Sequence, residues 1–270
     1  MRTLIAALGL GLALAAPVAA APAPAQTISI SYGIHGMGMT VGRADYEFSF
    51  ADQAYQGRST RRATGFARSM LGSSQDFTYS VAGALVGADK LQPTAYQHQG
   101  GKNGRVVRVQ FTPATAVTTA TPPMGMGNPA ATEAQKVGVI DQVSLIAQMM
   151  VVSGDPCAQT LKIYMDGRAR FDLTLTPDGR ERVSVGEYRG HAQRCAVRMV
   201  PLAGFSDPQE EARLKFLFAP IGGYYAPVLV EMPTDSIGTI RLQATSVKVS
   251  QPRSAPGAPQ LAPAAANGTR

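Results

Sequence analysis

Tryptophan is absent from this chain of 270 residues, cysteine occurs twice and histidine three times. Two cysteines, Cys157 and Cys195, form neither a Cys-x-x-Cys redox pair nor a thiolate-rich metal site. The histidines, His35, His98 and His191, are scattered, and no Gly-x-Ser-x-Gly nucleophile elbow accompanies them. Past the first residues, no apolar run reaches the roughly 20 residues that a bilayer-crossing helix takes. Charge is missing from the start of the chain, where Arg2 is the only charged side chain before Arg43.

That start, with Arg2 as its one charge, reads MRTLIAALGLGLALAAPVAAAPAPAQ. Its apolar run, Leu4 to Ala16, is too short to span a bilayer. Small residues follow at Val18-Ala19-Ala20 and at Ala23-Pro24-Ala25. This layout predicts a secretory signal peptide over residues 1–25, cleaved between Ala20 and Ala25. No cysteine lies near the cleavage site, so lipid attachment there is not expected.

An exported chain meets an oxidising compartment, where two cysteines pair. A Cys157–Cys195 bridge closes a loop of roughly 38 residues, worth about 4 kcal/mol in the chain-entropy account. The segment between them reads as strand, turn, strand, so the bridge staples a hairpin-like region.

With the leader removed, one domain over residues 27–249 is expected, and 45% hydrophobic residues suffice for its core. Glycine (28) and proline (19) suit a turn-rich β protein. The net charge of +7 points to anionic envelope surfaces rather than nucleic acid, which an exported protein rarely meets. The arginines at 58, 61, 62, 68, 168, 170, 180 and 182 read mostly as solvated outer faces.

Period-two alternation recurs along the chain, in VGRADYEFSF from Val41, DFTYSVAG from Asp76 and GRVVRVQFTP from Gly104. TLKIYMDG and ARFDLTLTPDG follow, with Asp166-Gly167 and Asp178-Gly179 read as tight turns. RCAVRMVPLAGF, ARLKFLFAP, APVLVEMPT and GTIRLQATSVKV complete the set. The spacing predicts an all-β antiparallel sandwich or barrel, not a βαβ enzyme. One segment breaks the pattern. DQVSLIAQMMVVSGDP places Val143, Ile146, Ala147, Met150 and Val151 at helical spacing, with Asp141 as cap and Gly154 as stop. A helix near 141–152, apolar nearly all round, is expected to be buried inside the sheet. The Pro/Gly-rich stretch Thr119 to Lys136 and the Pro/Ala-rich tail 250–270 read as disordered.

Taken in order, TVGRADYEFSF, LQPTAYQHQG, DQVSLIAQM, LKIYMDGRARFDL, PLAGF and APVLVEMPTDSIGTIRL resemble the family of exported proteobacterial proteins called domain of unknown function 3108. The resemblance covers Tyr32 to Lys248. It is most specific at Asp141 and Ser144, at Asp166 to Arg168 and at Pro201 to Phe205. The helix start departs modestly, because the family reads Asp-Pro-Leu-Ser where this chain has Asp141-Gln142-Val143-Ser144. The resemblance implies a single strongly curved antiparallel sheet, a barrel or spiral half-barrel, in a periplasmic protein of a Gram-negative envelope. It implies no mechanism.

No enzyme, cofactor or metal site is expected. His35, Met37 and Met39, with Met124 and Met126, mimic a soft-metal set, but methionines alternating along a strand read as core packing. Glu210 and Glu211 read as solvated surface, and Asp166 and Asp178 as turn residues. Two functions remain. One is a monomeric binding module whose curved sheet holds a lipid or other lipophilic ligand and so supports envelope integrity. The other is an interaction protein that engages envelope proteins with no small ligand.

Overall fold

The computed structural model describes residues 26–51, 53–87, 89–234 and 238–250. The expected signal peptide lies outside the described residues, as does the tail from residue 251. Thirteen strands form one antiparallel sheet. In chain order they are β1 (Gln26–Gly36), β2 (Met39–Ala51), β3 (Ala54–Ala63), β4 (Phe77–Val86), β5 (Lys90–Gly100), β6 (Arg105–Phe111) and β7 (Ala116–Thr121). β8 (Thr160–Met165), β9 (Ala169–Val185), β10 (Tyr188–Ala203), β11 (Ala212–Ile221), β12 (Tyr224–Thr234) and β13 (Gly238–Ser250) follow. Helix α1 is Gly65–Leu71 and helix α2 is Gln142–Val151.

β1 pairs with both β2 and β13, so the first and last strands meet mid-sheet and the meander runs outward both ways to edges at β7 and β8. The alternation expected from the sequence is plain in β1. Ile28, Ile30 and Tyr32 are buried, while Thr27, Ser29 and Ser31 between them are partly exposed. Register shifts at Ser31/Tyr32, Ala82/Gly83 and Leu217/Phe218 bend and twist the ladder.

α2 packs against β3, β5, β8 and β12, strands from both wings of the sheet. The sheet therefore curls around the helix. Its edges are not joined by a backbone ladder among the described residues, so no closed barrel is formed. Thr118 of β7 instead reaches across by side chain, donating to the Gly167 carbonyl at 2.7 Å and lying 3.2 Å from the Tyr164 hydroxyl. Ile140 covers the outer edge of β8 through a parallel bridge, with Ile140 N–H to Lys162 O at 2.9 Å and Tyr164 N–H to Ile140 O at 2.8 Å.

Three local expectations are corrected. Asp178-Gly179 is not a hairpin turn. β9 runs on through it, and the two residues bulge opposite Arg194 alone, between the pairs Pro177–Cys195 and Arg180–Gln193. Gly179, at φ 99°, takes the bulge conformation, and Arg194 Nε straps it by donating to Asp178 O at 2.7 Å. The stretch 119–136 is not loose. Thr119–Thr121 belong to β7, and the loop beyond is tied by Asn128 N–H to Phe205 O and Gly204 N–H to Pro129 O. Ser250, assigned to the tail, closes β13 opposite Thr27, whose N–H donates to its hydroxyl at 3.0 Å.

Candidate functional site

Cys157 and Cys195 form a disulfide with Cα atoms 5.3 Å apart, and both are fully buried. The bridge does more than staple a hairpin. Cys157 lies just past the exit of α2, and Cys195 lies on β10, beside the Asp178-Gly179 bulge. Asp155 accepts from Cys157 N–H at 2.8 Å and from Gln193 Nε2 at 2.6 Å, holding the same approach. The interior helix is thus bound covalently to the wall around it.

Eight of the ten α2 residues are buried, as its apolar periodicity predicts. Its polar side chains are all engaged, either within the helix start or with the sheet around it. Asp141 caps the helix, accepting from Val143 N–H at 2.8 Å, Ser144 N–H at 2.9 Å and Ser144 Oγ at 2.6 Å. The Tyr55 hydroxyl of β3 meets Ser144 Oγ at 2.7 Å. Burial raises the Asp141 carboxyl to about 6 despite these donors. Gln148 accepts from Leu91 N–H and donates to Asp89 O, both at 2.7 Å, pairing backbone at the start of β5.

At the helix start, four side chains converge. Gln142 Nε2 donates to Tyr96 Oη and to Asp166 Oδ1, and its carbonyl oxygen accepts from Asp166 N–H at 3.1 Å. Tyr96 Oη lies 3.0 Å from His98 Nδ1 and 3.3 Å from Asp166 Oδ1. The His98 ring packs edge-on or tilted against Phe77, Tyr79 and Tyr96. Burial holds His98 below its ordinary value, against the opposing pull of Asp166. The imidazole is therefore neutral at pH 7, and the 3.6 Å approach to Asp166 is a dipolar contact rather than an ion pair. The hydroxyl that meets the imidazole is the Tyr96 phenol, which is itself held by Gln142 and Asp166. It joins β5, α2 and the β8–β9 hairpin, and acts as a polar clamp across the curl. Asp166 is the turn residue that its Asp-Gly sequence predicts, at φ 52°, while nothing in the sequence pattern links it to Tyr96, His98 and Gln142. Only three-dimensional proximity unites them.

The remaining candidates stay apart. His35, His98 and His191 sit on β1, β5 and β10. Met37 and Met39 are 65% and 45% exposed at the β1–β2 tip, which corrects the core-packing reading, and His35 Nδ1 meets Thr40 Oγ1 at 3.1 Å. No group of three or more His, Cys, Asp or Glu able to hold a metal occurs among the described residues. Glu211 forms a surface pair with Arg198. Of the arginines read as solvated, Arg170 is the exception. It is buried, donating to Gln135 O at 2.7 Å and pairing with Asp172 at 2.7 Å.

The outer face carries clefts. One of about 390 Å³ crosses β3 to β6, where Arg58, Ser80, Gln97 and Arg108 align across successive strands. A second, of about 460 Å³, contains Lys215 paired with Glu181 and Glu231, and Arg241 paired with Glu231. A third, of about 760 Å³, lies where β2, β3 and α1 meet. No helix among the described residues is long and apolar enough to cross a membrane.

A family model described as "Protein of unknown function (DUF3108)" matches residues 27–245. No curated protein and no solved structure matches the chain.

Proposed function

The chain belongs to the DUF3108 family of proteins of unknown function, and from that premise we propose that it is an exported, monomeric, non-enzymatic protein of the periplasm that works through its outer surface. The observation that carries this reading is the occupied interior. α2 sits inside the curl with eight of ten residues buried, and large side chains such as Tyr32, Phe48, Tyr55 and Phe218 pack around it. A lipophilic ligand would have to displace this core, at a cost of several kcal/mol for each large side chain moved. Clefts on the outer face that carry arginine side chains supply contact surface instead. The Cys157–Cys195 bridge and the leader, with Arg2 before a short apolar run and small residues, support export.

Native mass spectrometry of the protein released from the host by osmotic shock tests the reading. The expected mass is that of the bare processed chain with one disulfide. An acyl lipid retained in stoichiometric amount would overturn it in favour of the lipophilic-ligand module.

A further inference from the structure

β2 and β3 set Arg43 directly opposite Arg62 on their outer face. Like charges at opposed positions of neighbouring strands destabilise the pair, because their Cβ atoms are held about 5 Å apart. Both arginines line the 760 Å³ cleft, and Arg68 of α1 forms part of the same wall.

The carboxylates of the cleft do not neutralise this arrangement. Asp76 is engaged by Arg68, whose NH1 reaches both of its oxygens at 2.5 and 2.6 Å. Asp45 takes the Ser31 hydroxyl at 2.6 Å and stands 3.7 Å from the Arg43 guanidinium. Three arginines against two aspartates leave one positive charge in the lining. That charge has an address, because the Arg62 guanidinium has no hydrogen-bond or ion-pair partner among the described residues. A further polar atom of the lining, Thr64 Oγ1, is buried with no hydrogen-bond partner. An opposed cation pair and an unpaired guanidinium thus meet in one cleft, where a bound anion would offset the repulsion.

We propose that this cleft binds a phosphate group carried by an organic molecule, either a sugar phosphate or a phospholipid headgroup. The guanidinium forks of Arg43 and Arg62, opposed on neighbouring strands, suit a multi-oxygen anion. The cleft volume falls in the range of small-molecule sites, far beyond a bare ion. The proposal rests on the preceding reading only in taking the outer face as the working one. Its test needs neither export nor an interior free of ligand, so the two stand or fall separately.

The test is thermal melting and titration calorimetry of the processed, disulfide-bonded protein. The probes are inorganic phosphate, glucose 6-phosphate and phosphatidylglycerol vesicles, with sodium chloride at matched ionic strength as control. Glucose 6-phosphate or the vesicles should raise Tm and bind saturably, and whichever binds more tightly identifies the source of the phosphate. Arg62→Gln should weaken binding roughly tenfold or more, and Arg43→Gln should weaken it similarly. In the absence of ligand, Arg62→Gln should melt above wild type, because the opposed charge is gone. Arg58→Gln, in the neighbouring cleft, should leave binding unchanged. The proposal is overturned if no probe binds, if chloride gives an equal Tm rise, or if Arg62→Gln and Arg43→Gln bind like wild type.

Discussion

Thr118, on the strand at one edge of the sheet, donates a 2.7 Å hydrogen bond to the carbonyl of Gly167, in the hairpin at the other edge. Gly167 has φ 69°, and a Cβ placed there would meet Thr118 Cγ2 at 2.8 Å, Val109 Cγ2 at 3.0 Å and Val107 Cγ1 at 3.1 Å. The two wings of an open sheet are therefore pressed together where only glycine fits. Thirteen strands leave two edges to protect, and side chains provide what a backbone ladder would give a barrel.

Gly167→Ala should loosen this seam. The left-handed backbone and the crowded methyl groups together predict a loss of about 2 kcal/mol. Thr118→Val, which removes only the hydrogen bond, should cost about 1 kcal/mol. Urea unfolding of both variants checks the order. Equal stability of Gly167→Ala and wild type would show that the edges do not press on one another in solution.

The disulfide ties the exit of α2 to β10 across a sequence separation of 38 residues. Replacing Cys157 and Cys195 together by serine should cost about 4 kcal/mol by the chain-entropy account. Reductant should lower the wild-type midpoint to that of the double variant and leave the variant unmoved. A thiol-reactive reagent should label no cysteine in the oxidised native protein.

The strands, the internal helix and the cysteine pair were legible in the chain because each has a local signature. Alternation exposes a half-buried strand such as Val41–Phe50, and Asp141 before an apolar 3.6-residue rhythm exposes the helix. Asp178-Gly179 misled for a physical reason. Gly179 supplies the positive φ that a tight turn needs, and a bulge in a long strand needs it equally. Only the partner strand, with Arg194 facing both residues, decides between them. The clamp of Tyr96, His98, Gln142 and Asp166 spans 70 residues of sequence and has no period to detect. The opposed Arg43 and Arg62 become visible only once the register of β2 and β3 is known.

Asp141 should leave a signature in the pH dependence of stability. Burial lifts its carboxyl from 3.8 to about 6 in the folded chain. A group raised on folding contributes stability that is fully present below its unfolded value and is lost as pH rises through the folded one. Asp141→Asn keeps the oxygen that accepts from Val143 and Ser144 but cannot ionise. The stability of wild type relative to Asp141→Asn should therefore fall between about pH 4 and pH 6, by on the order of 3 kcal/mol, and then level off. Denaturant midpoints at several pH values measure the difference. A gap that widens in the opposite direction would sink the assignment.

Gln142 provides the sharpest test of the clamp, because its amide both donates to Asp166 and Tyr96 and accepts from the Asp166 backbone. Gln142→Leu strands those partners and should cost about 2 kcal/mol. Gln142→Glu has nearly the same shape but sets a second carboxylate against Asp166. Two carboxylates in hydrogen-bond contact cannot both ionise cheaply, so one holds its proton to higher pH in the folded state. That variant should be less stable than Gln142→Leu at pH 7 and should recover as the pH falls below about 5. A coupling of about 1 kcal/mol between Gln142→Leu and Tyr96→Phe is expected from their shared hydrogen bond. If the two changes are additive and Gln142→Glu shows no recovery in acid, the four side chains are neighbours and not a clamp.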